Sequence, residues 1–315
     1  MLEAGIPAGA VRPRRQGAPV ALVPRVREAR SEAGERQGVG QEVARQRQPQ
    51  RGGAPRVEGD VVLTRRQIER IALKNRVSLF VQERDYVQAA FLSLLYSRAA
   101  AFVLKGGTCL RIAYGSPRYS EDLDFNSQLG GDEAYRALEV AAKELGYFGI
   151  GATVRDRRGS RSGFGVTLGY AGPLYDGRDI TKGMIRIDVS LRGERVVEES
   201  VAVRTEYDDV RTFVVKISSL GDALAEKVRA LLVRGMARDL YDIWFLLEKG
   251  VKPDLELING KLALYNRRYS RKEVVERIAG LERSWVSDLR PLLGALVPYD
   301  VAARATIQGL RALTE

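Results

Sequence analysis

The sequence has 315 residues, 45% of them hydrophobic and 29% charged, a composition typical of a globular protein with one large domain or two smaller ones. Its longest apolar runs fall far short of the roughly 20 residues that a membrane-spanning helix needs, and the absence of histidine excludes His-based acid–base catalysis, Ser-His-Asp triads and the common zinc sites. The net charge of +11 is consistent with a partner that carries phosphates, and any catalysis must depend on carboxylates, lysines or a hard metal ion.

Residues 1–57 contain no aromatic residue and no lysine, and they are rich in Arg, Gly, Pro, Gln and Ala. Such a segment cannot bury enough apolar surface to offset the entropy of ordering it, so we predict a disordered extension. Its eleven arginines and five glutamates give it a charge of +6, which leaves +5 for the remaining residues. The extension is either an Arg-rich RNA-binding tail or a segment without a role, and the second interpretation is favoured. Its first arginines are not followed by the apolar core of a secretory signal, so a cytoplasmic location is expected.

Two helices are predicted at the start of the ordered region, near Val61. Apolar residues recur at helical spacing after Thr64, a suitable N-cap, and Val77–Arg98 predicts a longer helix. The next predicted elements are a buried strand in AFVLKGG, a short helix over Thr108–Tyr114 and a second strand in LDFNS. The single cysteine, Cys109, falls in the short helix and is expected to be a small packing residue rather than a nucleophile.

The remainder of the chain changes from β to α character. After an amphipathic helix at residues 132–145, three segments alternate in the manner of strands, and a last strand is predicted at residues 210–217. The three segments are GIGATVRD, GFGVTLGYAG and MIRIDVSLR, and a hairpin turn in RRGSRSG joins the first two. Helical patterns continue from Ser219 to Leu313. We therefore predict an α/β head, residues 58–217, followed by a C-terminal helical domain, residues 218–315.

Two carboxylates separated by one residue, Asp122 and Asp124, lie in the second predicted strand. Residues i and i+2 of a strand project to the same face, so both carboxylates point together while Leu123 and Phe125 point into the core. Two unpaired carboxylates repel each other, and a bound divalent cation usually offsets this repulsion. Oxygen ligands without histidine favour Mg²⁺. Alone, such a pair is more often an ordinary acidic strand that faces solvent.

A glycine turn precedes these carboxylates. Gly106, Gly107 and Thr108 lead into a helix, whose first N–H groups favour phosphate, although a plain tight turn has the same sequence. Thirteen residues separate Thr108 from Asp122, enough for a short helix and a return to the neighbouring strand. Asp188 is the only acidic residue of the largely apolar segment MIRIDVSL, which suggests a third carboxylate of a two-metal site. The alternative is an aspartate on an edge strand that faces water.

Together these residues resemble the pattern of the DNA polymerase β-like nucleotidyltransferase fold. The order is Gly-Gly-Thr, then Ser-Glu-Asp-Leu-Asp, then a strand aspartate. More narrowly, KGGTCLR, RYSEDLDF, LAEKVRALLVR and ARDLYDIWFLL resemble the AbiEii family, the nucleotidyltransferase toxins of type IV toxin–antitoxin systems, which include the MenT-type toxins. The resemblance runs from about Leu63 to beyond Leu247. It implies an α+β fold, with a mixed sheet flanked by helices in the head.

The resemblance also implies roles for individual residues. Asp122, Asp124 and Asp188 would bind Mg²⁺ at a two-metal site, and Asp188 would help to deprotonate the acceptor hydroxyl. With Lys227, which would neutralise the phosphates, these aspartates would be the catalytic residues. The residues expected to contact the NTP are Gly106, Gly107, Thr108, Ser120, Lys227, Arg238, Asp239 and Asp242. Without the resemblance, the charged residues from 227 to 242 would be interpreted as surface ion pairs of a helix hairpin.

The function implied by the resemblance is Mg²⁺-dependent transfer of an NMP from an NTP to an acceptor, with release of pyrophosphate. The suggested acceptor is RNA, in particular the 3′ end of tRNA, and the suggested partner is an antitoxin with a winged-helix domain. Two alternatives remain open: a protein or small-molecule acceptor for the same chemistry, and a non-catalytic module that binds nucleotides or nucleic acid. The intact set of aspartates and Lys227 favours an enzyme, but the residues do not identify the preferred NTP.

Overall fold

The computed structural model describes residues 62–160, 162–193 and 197–313, so the extension predicted to be disordered, residues 1–57, lies outside the described residues. The described residues form ten α-helices and seven β-strands. The helices are α1 (Arg65–Asn75), α2 (Leu79–Arg98), α3 (Gly106–Ile112), α4 (Gly131–Glu144), α5 (Leu220–Val233), α6 (Ala237–Glu248), α7 (Leu255–Ala263), α8 (Arg271–Ala279), α9 (Trp285–Leu289) and α10 (Tyr299–Gly309). The strands are β1 (Phe102–Lys105), β2 (Asp122–Ser127), β3 (Gly151–Ser160), β4 (Gly163–Ala171), β5 (Gly183–Ser190), β6 (Glu198–Val203) and β7 (Phe213–Ser218).

These strands form one sheet in the order β3-β4-β5-β2-β1-β7-β6. The β2–β5 and β1–β7 pairs are parallel, whereas the other neighbours are antiparallel. Helices α2 and α4 pack against one face of the sheet, and α5 to α10 follow as a C-terminal group. A mixed sheet with flanking helices and a helical C-terminal part confirms the predicted fold class.

The alternation of apolar and polar residues determines which face of the sheet is covered. In β2, Leu123 and Phe125 are buried, whereas Asp122 and Asp124 lie on the other face and are half-buried. Phe125 packs edge-to-face against Phe102 of β1, with ring centres 5.4 Å apart. We call the face that carries the two aspartates the open face.

Some elements differ from those predicted. Helix α3 begins at Gly106, so the glycine pair forms the first turn of the helix rather than a turn before it. Strand β6 is absent from the predicted elements, because its acidic start and largely exposed side chains resemble a loop. Among the described strands its single neighbour is β7, so it forms an edge of the sheet. The last strand begins at Phe213 rather than at Val210.

Buried apolar residues form two clusters, one from residues 63–217 and the other from residues 223–313 together with Leu110 of α3. All described residues nevertheless belong to one compact unit, so the division near residue 218 into two domains stays a prediction. Cys109 is buried, as expected of a packing residue, and burial raises the pKa of its thiol to about 12. Among the described helices, none has the length and apolar character needed to cross a bilayer.

Candidate active site

A row of four residues crosses the open face where β1, β2, β5 and β4 lie side by side. Lys105 lies opposite Asp124, and Asp124 lies opposite Asp188. Asp188 in turn lies opposite Gly165 of β4. Asp122 precedes Asp124 by two residues on the same face. The structure therefore places the three predicted carboxylates on one face, although Asp188 comes from a distant part of the sequence.

The charged forms of the two β2 aspartates are disfavoured where they lie. Burial raises the pKa of Asp124, although Lys227 and Lys105 oppose the shift. Burial also raises the pKa of Asp122, although Arg238 opposes it. Neighbouring carboxylates add to both shifts. A bound cation would offset this cost, because it favours ionised carboxylates.

The first turn of α3 lies against β2 and against the loop that precedes β2. Gly106 has a φ of 72°, and a Cβ at this position would overlap the Oδ2 atom of Asp124. A Cβ on Gly107 would lie 2.5 Å from Nη2 of Arg118 and 2.8 Å from Oγ of Ser120. Glycine at both positions therefore allows the helix to start directly beside the carboxylates.

Thr108 connects this turn to β2. It is completely buried, and its hydroxyl donates a hydrogen bond of 2.5 Å to the backbone oxygen of Asp122. Ser120 is half-buried, and its backbone oxygen accepts a hydrogen bond of 3.2 Å from Nε2 of Gln88. Of these two predicted triphosphate contacts, Thr108 thus holds the start of β2 in place, whereas Ser120 retains exposed surface beside the turn.

Asp242 of α6 is fully buried between two cations, Arg118 from the loop before β2 and Lys227 of α5. Arg118 donates from Nε and Nη2 to the two carboxylate oxygens, both at 2.8 Å, and Nζ of Lys227 lies 2.7 Å from Oδ2. Burial alone would raise the pKa of Asp242, but Arg118 and Lys227 hold it below its ordinary value. We call Arg118, Lys227 and Asp242 the buried triad. It holds Lys227 within electrostatic range of Asp124.

The other charged residues of α6 divide into a buried one and a partly exposed one. Asp239 is fully buried and accepts hydrogen bonds from Nε and Nη2 of Arg234, at 2.9 and 2.8 Å. Arg238 keeps exposed surface and lies close enough to Asp122 to oppose the rise in its pKa. The interpretation of this region as surface ion pairs is wrong, because Asp239 and Asp242 are fully buried.

Three residues of the site are absent from the predicted set: Lys105, Arg118 and Gly165. Lys105 is the last residue of the buried strand β1, and its Nζ donates a hydrogen bond of 2.6 Å to Oδ1 of Asn126. The sequence does contain a signal for Gly165. Glycines at alternate positions of GFGVTLG fall on one face of a strand, which indicates that another group approaches that face closely. Arg118 begins the segment RYSEDLDF that carries the family resemblance, but a loop residue has no periodicity from which its contact with Asp242 could be predicted.

A cleft of about 540 Å³ opens between the open face, the helix α5 and the residues that follow α7, Leu264 and Tyr265. Asp124 and Asp188 contribute to its wall. Within the part of the chain that the structure describes, no group of three His, Cys, Asp or Glu side chains is arranged to hold a metal ion. Nε of Arg186 donates a hydrogen bond of 3.0 Å to Oδ2 of Asp188. Ligation of Mg²⁺ by Asp122, Asp124 and Asp188 therefore stays a prediction.

Comparison with known proteins adds sequence and fold relationships. Residues 93–306 match the protein family described as nucleotidyl transferase AbiEii toxin, type IV TA system. MenT4, a nucleotidyltransferase toxin from Mycobacterium tuberculosis H37Rv, is similar in structure, with a TM-score of 0.62 and 20% identity over 80% of this chain and 91% of that one. JHP933 from Helicobacter pylori is similar with a TM-score of 0.52 and 18% identity, over 75% of this chain and 92% of that one. No curated protein is a significant sequence match.

Proposed function

Because this chain belongs to the AbiEii family of nucleotidyltransferase toxins of type IV toxin–antitoxin systems, we propose that it transfers an NMP from an NTP to the 3′ end of an RNA, in particular a tRNA. The observation that carries this proposal is the contact of the Gly106 turn with Asp124, which itself lies opposite Asp188. A turn suited to phosphates is thereby joined to carboxylates on one accessible face, which is the arrangement that nucleotidyl transfer requires.

Asp122, Asp124 and Asp188 would hold the divalent cation that nucleotidyltransferases generally use. Mg²⁺ is the best fit, because the donors are carboxylate oxygens and because burial and repulsion disfavour the ionised forms of two of them. Asp188 would exchange its contact with Arg186 for the cation. When bound, the ion would polarise the phosphates and favour deprotonation of the attacking hydroxyl.

In this reaction the side chains of the protein would bind and orient the substrates, and one of them would accept a proton. The 3′ oxygen of the acceptor attacks the α-phosphorus, the bond from this phosphorus to the bridging oxygen breaks, and pyrophosphate leaves. Asp188 would take the hydroxyl proton, and the 42% exposure of its side chain at the edge of the cleft supports this role. Lys227 and Arg238, which act electrostatically on the two β2 aspartates, would offset the charge of the phosphates.

The acceptor and the cellular setting are the finer parts of the proposal. RNA is favoured because arginines border the cleft beside Asp188. The family implies an antitoxin partner, and we propose one with a winged-helix domain. A cytoplasmic location belongs to the same proposal, since NTPs and tRNA are found there.

The proposal predicts that the purified full chain labels RNA. It is incubated with Mg²⁺, total RNA and each of the four NTPs in turn, labelled at the α-phosphate, and the products are separated by gel electrophoresis. We expect label in a discrete band of tRNA size with one or more NTPs, sensitive to ribonuclease. Label in a protease-sensitive band or in a small molecule would contradict an RNA acceptor. Binding of NTP without any transfer would favour the non-catalytic alternative.

Substitution of Gly165 by Ala is predicted to slow this transfer by roughly tenfold or more, because small displacements of a catalytic group are costly. The new Cβ would lie 2.8 Å from Oδ1 of Asp188, so the carboxylate must move. Gly169→Ala in the same strand is the matched control, since its Cβ would meet Arg155 at an ordinary 3.6 Å. Both variants are compared with the wild type for transfer rate and thermal unfolding. Equal rates in the two variants would show that the exact position of Asp188 does not limit the reaction.

A further inference from the structure

An irregularity in β3 determines which of its arginines faces the cleft. The pairing of β3 with β4 shifts by one residue between Arg155 and Arg158. As a result Arg158, rather than Arg157, lies opposite Gly165. Asp156, inside this bulge, has a φ of 59°, which is uncommon for a residue with a side chain. Local strain of this kind is concentrated at functional sites.

The bulge places two consecutive arginines on opposite faces of the sheet. Arg157 lies on the covered face, 4.9 Å from the ring centres of both Tyr135 and Phe164. Arg158 lies on the open face and lines the same cleft as Asp188. In a regular strand Arg157 would lie opposite Gly165, and Arg158 would be turned away from the cleft. The extra residue therefore places the guanidinium of Arg158 on the side of Asp188 that lies away from the glycine turn.

Two more arginines and a tyrosine line the same cleft: Arg192, Arg229 and Tyr265. Tyr265 is 41% exposed, and Cζ of Arg229 lies 4.7 Å from its ring centre. Nη2 of Arg229 also lies 2.6 Å from Oε1 of Glu226. Arg158 and Arg192 form no ion pair with any carboxylate among the described residues. Two arginines without an ion-pair partner among the described residues and an exposed aromatic ring therefore line the same cleft.

On the β4 side of Asp188, the floor of the cleft has no side chain. Gly165 lies opposite Asp188, and Gly163 lies two residues earlier on the same face of β4. Any larger residue at position 165 would occupy the approach to the carboxylate of Asp188. The strand order places β4 on the far side of β5 from β2, so the glycine floor and the Gly106 turn lie on opposite sides of Asp188. A donor nucleotide and an acceptor can therefore reach the carboxylates from different directions.

We propose that this arginine groove, formed by Arg158, Gly165, Arg192, Arg229 and Tyr265, binds the single-stranded 3′ end of the acceptor RNA. The arginines contact consecutive phosphates, and Tyr265 stacks on an unpaired base, while the terminal hydroxyl reaches Asp188. A polypeptide has no regular row of phosphates to match the unpaired arginines, so RNA is the better fit. The inference rests on the proposed function and specifies its acceptor subsite.

The test measures RNA binding separately from nucleotide transfer. The probe is a fluorescein-labelled single-stranded oligoribonucleotide with a free 3′ hydroxyl, and its binding to the full chain is followed by anisotropy over a range of salt concentrations. Each phosphate contact on a single strand contributes about 0.7 to the slope of log affinity against log salt, so the double variant Arg158→Ala/Arg192→Ala should lower this slope by about 1.4 and weaken binding roughly tenfold. Arg136→Ala, which removes an exposed arginine of α4, should bind as the wild type does.

The test of Tyr265 asks whether its ring stacks on a base of the RNA. Tyr265→Ala should weaken binding of the same probe roughly fivefold or more, because a stacking partner is lost, and Tyr265→Phe should restore it. A probe with 4-thiouridine at its 3′ end should crosslink under ultraviolet light to the peptide that contains Leu264 and Tyr265, as identified by mass spectrometry.

The outcomes distinguish the groove from the proposed function. If the salt slope and affinity fall as expected but the wild type labels no RNA in the transfer assay, the groove is supported and the proposed function is not. If the wild type labels RNA and the groove variants label it equally well, the proposed function stands and the groove is wrong. Wild-type affinity and slope in the double variant, or crosslinks only outside the groove, would overturn it. Transfer of label to a polypeptide, together with wild-type RNA binding by the double variant, would also overturn the groove and would favour a protein acceptor.

Discussion

Replacing Asp124 by Asn is expected to lower the rate of nucleotide transfer roughly a thousandfold or more, which corresponds to about 4 kcal/mol of transition-state stabilisation. Asp124 lies between Lys105 and Asp188 in the row across the sheet, and it meets the Gly106 turn. Asn has the same shape but cannot supply the charge that the proposed site needs. The rate is measured as transfer of α-labelled NTP to RNA under steady-state conditions.

The same substitution is expected to leave the free energy of unfolding unchanged or to raise it. The raised pKa of Asp124 means that the folded protein holds this proton more tightly than the unfolded chain does, so the ionised carboxylate lowers stability at neutral pH. Asn removes that charge. A loss of transfer without a loss of stability in urea unfolding therefore marks a functional residue rather than a structural one.

Asp300→Asn is the control for this pair of measurements, because it alters an exposed ion pair of α10 with Arg304. It should change the transfer rate and the stability little. Wild-type transfer by the Asp124→Asn variant would remove Asp124 from the site. Loss of transfer accompanied by unfolding would leave a structural role as the explanation.

Replacing Asp242 by Asn is expected to lower the free energy of unfolding by about 3–5 kcal/mol, since the loss of one partner leaves buried charge uncompensated. Both Arg118 and Lys227 depend on this carboxylate, and all three side chains are buried. Transfer should also fall, because Lys227 loses the contact that holds it near Asp124. Urea unfolding followed by circular dichroism gives the stability, and Asp300→Asn again serves as the exposed counterpart.

The pH dependence of this effect has a defined sign. The pKa of Asp242 in the folded protein lies below the ordinary value of 3.8, so its contribution to stability is complete above that pH and is lost as the pH falls through the lower folded-state value. The stability difference between the wild type and Asp242→Asn should therefore be constant near neutrality and shrink below about pH 4. A difference below about 1 kcal/mol at neutral pH would show that the buried triad contributes no more than a surface ion pair.

Local patterns were sufficient to predict part of the site. The period of two in a strand predicts that Asp122 and Asp124 share one face. Asp188 stands out because an unpaired carboxylate within an apolar strand is costly to bury. The fold class and the succession of most elements also followed from periodicity. Each of these inferences depends on residues that are close together in the sequence.

Relations between distant segments could not be predicted in this way. The register that sets Asp124 opposite Asp188 depends on the parallel pairing of β2 with β5, which is decided by the packing of the whole sheet. Arg118 forms its hydrogen bonds with Asp242, which lies 124 positions later in the chain. The same limit applies to Arg158, because the segment around it predicted a turn and gave no sign of a bulge.

The buried triad ties the assembly of the site to the progress of protein synthesis. A nascent chain that has left the ribosome only as far as β7 already carries Asp122, Asp124 and Asp188, together with Arg118. It still lacks Lys227 and Asp242, so the guanidinium of Arg118 has no counter-charge to be buried with. The complete constellation exists only after α6 has been translated and has packed. A chain that ends before α6 therefore lacks the ion pairs that hold Lys227 near Asp124, even when it contains all three carboxylates.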